Sequence, residues 1–568
     1  MDLQRFLKEL TIFTQTPLLK LFMLGLTSLA AQVVLIQEFL GIVSGNEFTV
    51  SVFFTLWMLF TAAGAWVHSL FKPRKNGSTT LYVILSVLPV GVLFSMQYFK
   101  NILFEPGISL NPWQIIWYSG IHIFPFCFVS GYLFVAFSGE FSKSNETNEM
   151  AYPLAVESIG SMVGLLVFAL VLPYFLNPLA IFTVLFTVNG FYISLNRITI
   201  FQKIVFLIGF AGIALIIYLL PLQQLSFKSL YPHQRLEFYQ PSPHGNLMLT
   251  SMNGQKNLYE NEQLLYYSNN ETDREETVHF AMAQRPRAKN VLLVSGGLNG
   301  MLAEIEKYSP ASIDYLEINK IAIEKLRNEI PGIHHPLANI ISNDPISYLQ
   351  QSKKKYNLIV MATPDPANMK LNRFYTFEFV EKIKKSLTPD GVCIFHLCIF
   401  PGYLEKTDIE LVSGLFNSLS KHFKNVKLIP TEKIYFLASD KTLSIHICDT
   451  LTKYKIQTSF INSAYYDTNL VNQKTNQILE NIVNIKPINS NLYPLSYGLY
   501  LEKWFHQNNF SPLWFIIPSI LLFLASIYII ISSPRSLAPM FSMGFSTSAM
   551  QIVLLFQTIQ WIFYYQEF

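Results

Sequence analysis

Two apolar blocks bracket a long polar stretch, and this constrains the chain more than any other feature. The first block runs from Pro17 to about Leu220, the second from Pro512 to the C-terminus. A helix that crosses a bilayer needs about 20 mostly apolar residues. The first block accommodates seven such spans: Leu18–Val43, Phe48–Phe71, Thr80–Phe99, Trp113–Phe137, Tyr152–Leu172, Asn177–Leu195 and Phe201–Leu220. Two more, Pro512–Ile531 and Pro539–Tyr564, follow the polar stretch. Only 14% of the 568 residues are charged and 51% are hydrophobic, against about 25% charged in soluble domains. The reading is a polytopic helical membrane protein with a sizeable soluble part, and the lipid bilayer is its first partner. The apolar content excludes disorder. Four cysteines exclude a disulfide scaffold, and a net charge of +4 gives no case for nucleic acid.

Met1–Thr16 places Leu3, Phe6, Leu7 and Leu10 on one helical face, which suits an interfacial helix. The first apolar run is too long for a cleaved signal peptide. Basic residues near span ends set orientation. Arg5, Lys8, Lys20, Lys72, Arg74, Lys75, Lys143, Arg197, Lys203 and Arg535 all fall on one side if the N-terminus is cytoplasmic. Seven spans then put the soluble domain outside a cell (inner) membrane. Glu38 and Glu157 lie within spans, where ionisable groups are costly. They suit either a polar contact between helices or a proton- or cation-coupled path. The run from Gly25 to Ile36 resembles Gly544 to Leu555, with Gln32 matching Gln551. Repeated helical bundles are common in transporters. The expectation is a second bundle completed by a partner chain, a shortened relative of a longer protein, or a lone helix on the first bundle.

From about Leu222 to Asn509 the texture changes. Short strand-like runs, Arg235–Tyr239, Asn246–Thr250, Lys256–Glu260 and Gln263–Tyr267, are separated by turn signals such as Asn253-Gly254. They read as a small antiparallel β subdomain. A helix over Asp273–Gln284 follows. Strands at Asn290–Val294, Ile313–Glu317, Asn339–Ser342, Asn357–Met361 and Val392–Phe395 then alternate with helices. Such alternation predicts a Rossmann-like parallel sheet with helices on both faces. The domains are therefore 1–221, 222–288, 289–509 and 510–568. Ligands of such sheets bind outside the carboxyl ends of the strands. Gly296, Gly297, Glu317, Asp344 and Asp365 all fall at such ends. A glycine turn followed about 20 residues later by an acid suits a backbone approach to a nucleoside and its ribose diol. Glu317 and Asp344 also suit plain helix caps, and the two glycines also suit a tight turn alone. Cys393 and Cys398 have the wrong spacing for a zinc knuckle and read as strand packing, so no metal is expected. His279 reads as structural.

Several stretches carry a resemblance: Gly254-Gln-Lys-Asn-Leu-Tyr-Glu-Asn, Glu276-Thr-Val-His-Phe-Ala, Val291-Leu-Leu-Val-Ser-Gly-Gly, Ile313-Asp-Tyr-Leu-Glu-Ile-Asn, Pro364-Asp-Pro and Leu371-Asn-Arg-Phe-Tyr-Thr. From Tyr231 to about Leu437 the chain resembles the spermidine synthase (polyamine aminopropyltransferase) family, in particular its membrane-fused branch. The resemblance implies a β subdomain on a methyltransferase-like sheet and a pocket for decarboxylated S-adenosylmethionine. It implies that Gln234 touches the nucleoside or its sulfur end, Glu317 holds the ribose hydroxyls and Asp344 takes the adenine amino group. Tyr375 either lines the pocket or packs, and the acceptor is a polyamine or another small cation.

The same resemblance exposes departures. Leu298 stands where the family's glycine turn carries an aspartate, and Asn319 replaces another. Ala362 stands where the fourth strand ends in an acid, three residues before Asp365. Aminopropyl transfer needs a neutral amine, and an amine is mostly protonated at neutral pH. A carboxylate at that strand end accepts the proton; alanine does not. Asp365, one turn further on, is the remaining candidate. Two readings follow: a membrane-bound aminopropyltransferase with a damaged amine site, or an inactive nucleoside-binding or transport-linked membrane protein.

Overall fold

The computed structural model describes residues 16–194 and 231–517, apart from 44, 72–76, 106–108, 146–149, 232, 243–244, 261–262, 269, 327–337, 483–487, 512 and 515–516, with isolated positions between 204 and 215. Met1–Thr16 before its last residue, most of Phe201–Leu220, nearly all of Pro512–Ile531, all of Pro539–Tyr564 and the second copy of the repeat lie outside the described residues. The chain divides into two compact units. One comprises residues 1–250, 260–263 and 511–561; the other comprises 251–259, 264–510 and 562–568.

The first unit begins with six apolar helices: α1 (Pro17–Ile42), α2 (Glu47–Leu70), α3 (Gly77–Leu103), α4 (Pro112–Asn145), α5 (Ala151–Gly164) and α6 (Pro178–Ser194). Five are long and apolar enough to cross a membrane, counting α5 with its continuation to Tyr174; α6 has 17 residues and is shorter. The helix starts are written in the sequence. Pro17 occupies the first turn of α1, whose orphan N–H at Leu19 is met by Thr16 Oγ1 at 3.4 Å. Asn46 caps α2 through the Thr49 N–H at 3.2 Å.

Glycines set how closely these helices approach. A Cβ built on Gly25 would lie 2.1 Å from the Glu157 carbonyl oxygen, and one on Gly160 would lie 2.0 Å from that of Phe22. Gly64 and Gly131 do the same for α2 and α4, with Cβ positions 1.9 Å from the carbonyls of Phe128 and Thr61. Apolar helices in lipid gain little from apolar burial and associate through such close packing. After Gly164 the fifth helix widens into a π segment, Leu165–Val171, and ends in a 3₁₀ turn at Pro173.

Polar groups in the bundle face each other. Asn189 Oδ1 accepts from Tyr82 at 2.7 Å and from Thr27 at 3.1 Å. Glu38 is buried and accepts from Gln97 at 3.2 Å and from Asn246 at 3.1 Å. Glu157 accepts from Ser161 at 3.0 Å.

Strands β1 (Arg235–Ser242), β2 (Gly245–Met252), β3 (Gln255–Glu260) and β4 (Gln263–Tyr267) form a four-stranded sheet in sequence order. Helix α7 (Glu271–Met282) leads into a seven-stranded sheet: β5 (Asn290–Val294), β6 (Ser312–Leu316), β7 (Ala338–Ile341), β8 (Tyr356–Met361), β9 (Leu387–Leu397), β10 (Asn425–Pro430) and β11 (Ile434–Ser439). Its order is β10-β11-β9-β8-β5-β6-β7. Between strands lie α8 (Met301–Glu306), α9 (Lys320–Leu326), α10 (Pro345–Gln351), α11 (Met369–Asn372), α12 (Phe377–Ser386) and α13 (Lys406–His422); α14 (Ile447–Tyr454), α15 (Thr468–Glu480) and α16 (Leu495–Gln507) follow.

The five neighbouring strands β9-β8-β5-β6-β7 are parallel, with Val291 level with Ile313 and Leu358. β5 and β8 are nearly continuous apolar runs because both faces are covered. Val294, Met361, Phe395 and Phe436 share one core cluster with Phe379 and Leu415. One strand departs from the parallel expectation. β11 runs antiparallel to β9 and to β10. A tight turn, closed by the Thr431 N–H on the Lys433 carbonyl at 3.0 Å, joins β10 to β11. Only antiparallel neighbours can be joined that briefly. Cys393 packs in the core, whereas Cys398 lies past the strand end and is exposed.

Candidate functional site

The parallel strands all present their carboxyl ends at one edge, and the loops there carry the candidate residues. β5 ends in Ser295 and Gly296, whose φ values of 61° and 73° are left-handed. Gly296 takes that conformation freely, whereas Ser295 is held in it at a cost. A Cβ on Gly296 would also sit 2.7 Å from the Ala362 Cβ, so the turn and the end of β8 are in direct contact. Beneath Gly297 lies the Tyr315 ring, 2.3 Å from where a Cβ would be. Any side chain at 297 would displace that ring.

Tyr315 is fully buried on β6, and its hydroxyl donates to Glu317 Oε2 at 2.8 Å. Glu317 Oε1 accepts the Asn319 N–H at 3.3 Å. The carboxylate is thus oriented at the strand end from below. Asn319 caps α9 through the Ala322 N–H at 3.2 Å.

Asp344 follows β7 and caps α10: its Oδ2 accepts from Ile346 and Ser347 at 3.1 and 3.2 Å. Its Oδ1 pairs with the Arg373 guanidinium. Arg373 belongs to the Leu371-Asn-Arg-Phe-Tyr-Thr run, so this motif braces the strand end. Tyr375 of the same run is only 2% exposed. Its hydroxyl donates to the carbonyls of Thr363 at 3.1 Å and Pro364 at 3.0 Å, supporting that loop from within the core.

The β8 end holds Ala362, partly exposed, and Asp365, buried. Asp365 accepts the Cys398 N–H at 2.9 and 3.1 Å and the Tyr500 hydroxyl. Its carboxylate ties β8 to the end of β9 and to α16. Gln234 lies in the first compact unit, where its side-chain oxygen accepts from Thr250.

The structure adds residues that the sequence reading omits. Asp273, in the first turn of α7, lies 2.5 Å from the Lys433 ammonium. Burial alone would raise Asp273, but the Lys433 charge and hydrogen bond hold it below the usual carboxylate range. Glu276, one turn on, is pushed up to about 7 by burial, against hydrogen bonds from Tyr465 at 3.0 Å and Tyr435 at 3.3 Å. His396, at the end of β9, is kept neutral by burial, and its Nδ1 has no partner. Extending the Val392–Phe395 strand by two residues is the signal that would have found it.

Glu275, His279 and Glu304 bring donor atoms within 4.8 Å of one another. Those donors are engaged. Glu275 accepts three backbone N–H groups, from Ser459, Phe460 and Ile461, at 2.6–3.1 Å. Glu304 meets Arg274 at 3.2 Å, Lys307 at 2.5 Å and His279 at 3.0 Å. This is an ion-pair network holding α7 to α8.

The glycine turn, the acid after the second parallel strand and the braced strand ends gather at the carboxyl edge of a Rossmann-like sheet. Residues 271–431 match the family model described as the spermine/spermidine synthase domain, which places this segment in the spermidine synthase family. A polyamine aminopropyltransferase of Alkaliphilus metalliredigens is 29% identical over 203 residues, 34% of this chain and 70% of that protein. One from Methanocaldococcus jannaschii is 29% identical over 134 residues, 22% of this chain and 45% of that protein. Polyamine aminopropyltransferase 1 of Aquifex aeolicus is 25% identical over 202 residues, 35% of this chain and 67% of that protein. A solved spermidine synthase in complex with the transition state analogue AdoDATO is 20% identical, with a TM-score of 0.37 over 43% of this chain and 89% of that one.

Proposed function

We propose that this is a membrane-anchored protein whose spermidine-synthase-type domain binds a nucleoside of the decarboxylated S-adenosylmethionine class. Transfer from it is limited by a missing base on the acceptor side. The observation that carries this reading is the pairing of Gly296 with Ala362 across the strand ends. The backbone turn and the oriented Glu317 favour the nucleoside, while the position against the turn holds a methyl group. The sulfonium carbon of the donor needs a neutral amine, and general-base removal of the ammonium proton contributes about 10²–10⁴-fold. Asp344 would reach the adenine from its place as the α10 cap. Five long apolar helices support anchoring in a bilayer.

The experiment is equilibrium binding of methylthioadenosine to the full-length protein in detergent, followed by aminopropyl transfer from decarboxylated S-adenosylmethionine. Glu317→Gln should weaken nucleoside binding about tenfold, the loss of one charge-assisted hydrogen bond. Ala362→Asp should raise the transfer rate at least tenfold without tightening nucleoside binding. No nucleoside binding by the unaltered protein would refute the proposal.

A second reading is a nucleoside-binding protein that performs no transfer. It is favoured by Asp365, whose carboxylate is taken up by Cys398 and Tyr500. Under that reading Ala362→Asp leaves transfer undetectable.

A further inference from the structure

The edge that carries Ala362 also carries a cation of the chain's own. Lys433 immediately precedes β11, whose first residue pairs with Leu397 at the end of β9. Its ammonium therefore lies at the same end of the sheet as Asp365 and His396. Lys433 is raised above the usual ammonium range: burial opposes the charge, but Asp273 favours it more, with Asp365 adding to the effect. Side-chain exposure is 24% for Lys433 and 20% for Asp273, so the pair is screened from bulk water.

Asp365, Glu276 and Asp273 stand on the Lys433 side of this end, and each has a different partner. Asp365 holds a backbone N–H and a tyrosine hydroxyl. Glu276 holds two tyrosine hydroxyls. Asp273 alone of the three holds an ammonium. A lysine head group is a primary alkylammonium on a four-carbon stem, the same chemistry as one end of a diamine.

We propose that Lys433 is a tethered stand-in for the acceptor's ammonium, and that it makes this site discriminate against diamines. A diamine must displace a group whose effective concentration, set by a short tether, is in the millimolar range or above. The displaced Lys433 would then face the incoming dication. Removing Lys433 leaves Asp273 buried without its counter-charge, a vacancy that a free ammonium fills. This inference rests on the proposed reading that the strand-end site is the ligand site.

The test uses full-length protein in detergent and 1,4-diaminobutane as the probe, read by titration calorimetry. Methylthioadenosine binding is measured on the same samples. The unaltered protein should show no saturable diamine binding below millimolar concentration. Lys433→Met, which keeps the stem, should bind the diamine at least tenfold tighter, and Lys433→Met with Asp273→Asn should lose that gain. Lys433→Gln replaces the methionine variant where that one does not fold. Saturable submillimolar diamine binding by the unaltered protein overturns the proposal, whatever the variants do. A diamine gain in the variant without nucleoside binding in any sample would instead refute the nucleoside reading and leave the role of Lys433 standing.

Discussion

Glu304 accepts from three cationic or protonatable neighbours while nearly buried, its side chain 6% exposed. Burial alone would raise it, but His279 and Lys307 bring it from 4.5 down to about 2. A carboxyl whose folded value is depressed stabilises the fold above its ordinary value. That stability is lost as pH falls from about 4.5 through 2. The shift corresponds to roughly 3 kcal/mol. Thermal melts of the full chain between pH 6 and 2 should fall steeply, and those of Glu304→Gln should start lower and fall less. Equal slopes would mean that the acid sensitivity lies elsewhere. At this scale the sequence is legible where a group acts locally. Gly296, Glu317 and Asp344 are found because a turn or a strand end needs them within a few residues. Asp273 and Lys433 meet across 160 positions, and nothing in either neighbourhood announces the other. Asp365 shows the converse: its position is legible, but its use by Cys398 and Tyr500 is a matter of tertiary contact.

The helices show why apolar length predicts existence better than packing. The first two, α1 and α2, begin within one residue of the expected spans, because Thr16-Pro17 and Asn46 are caps readable in sequence. How α2 meets α4 is fixed by Gly64 and Gly131, whose importance periodicity does not reveal. Gly64→Leu or Gly131→Leu should cost about 3 kcal/mol or more, since backbone rather than a flexible side chain blocks the added atoms. The expected result is aggregation or a lower melting temperature in detergent, with Gly91→Leu as the tolerated control, because nothing lies near its Cβ position. Unchanged melting of the first two would refute the close crossing. In the sheet, the five parallel strands are legible from alternation with helices. The β10–β11 pair is harder to read, because Lys427 interrupts the apolar run of β10 and no helix separates the two strands.

For the whole molecule, the five helices long and apolar enough to cross a membrane raise the question of which side the sheet domain would face. The charge distribution predicts a cytoplasmic N-terminus and an outside domain. A dual topology reporter belongs between Asn253 and Gly254, an exposed turn. The Asn270 neighbourhood is less suitable, since that side chain is buried against Asp273 and Asn299. An outside signal is the expected result; it would separate the domain from a cytosolic nucleoside pool and favour binding without transfer. A cytoplasmic signal would contradict the charge argument and favour transfer.

The buried Glu38 bears on how this protein can be dissected. Asn246 Nδ2, on β2, reaches both of its oxygens, at 3.1 and 3.4 Å. Cutting the chain where the apolar block ends, near residue 221, would leave that carboxylate with one amide fewer inside a helical bundle. The severed bundle would then loosen to admit water there. The smallest piece that keeps the bundle's polar groups satisfied therefore extends through β2, into what composition alone marks as the soluble part.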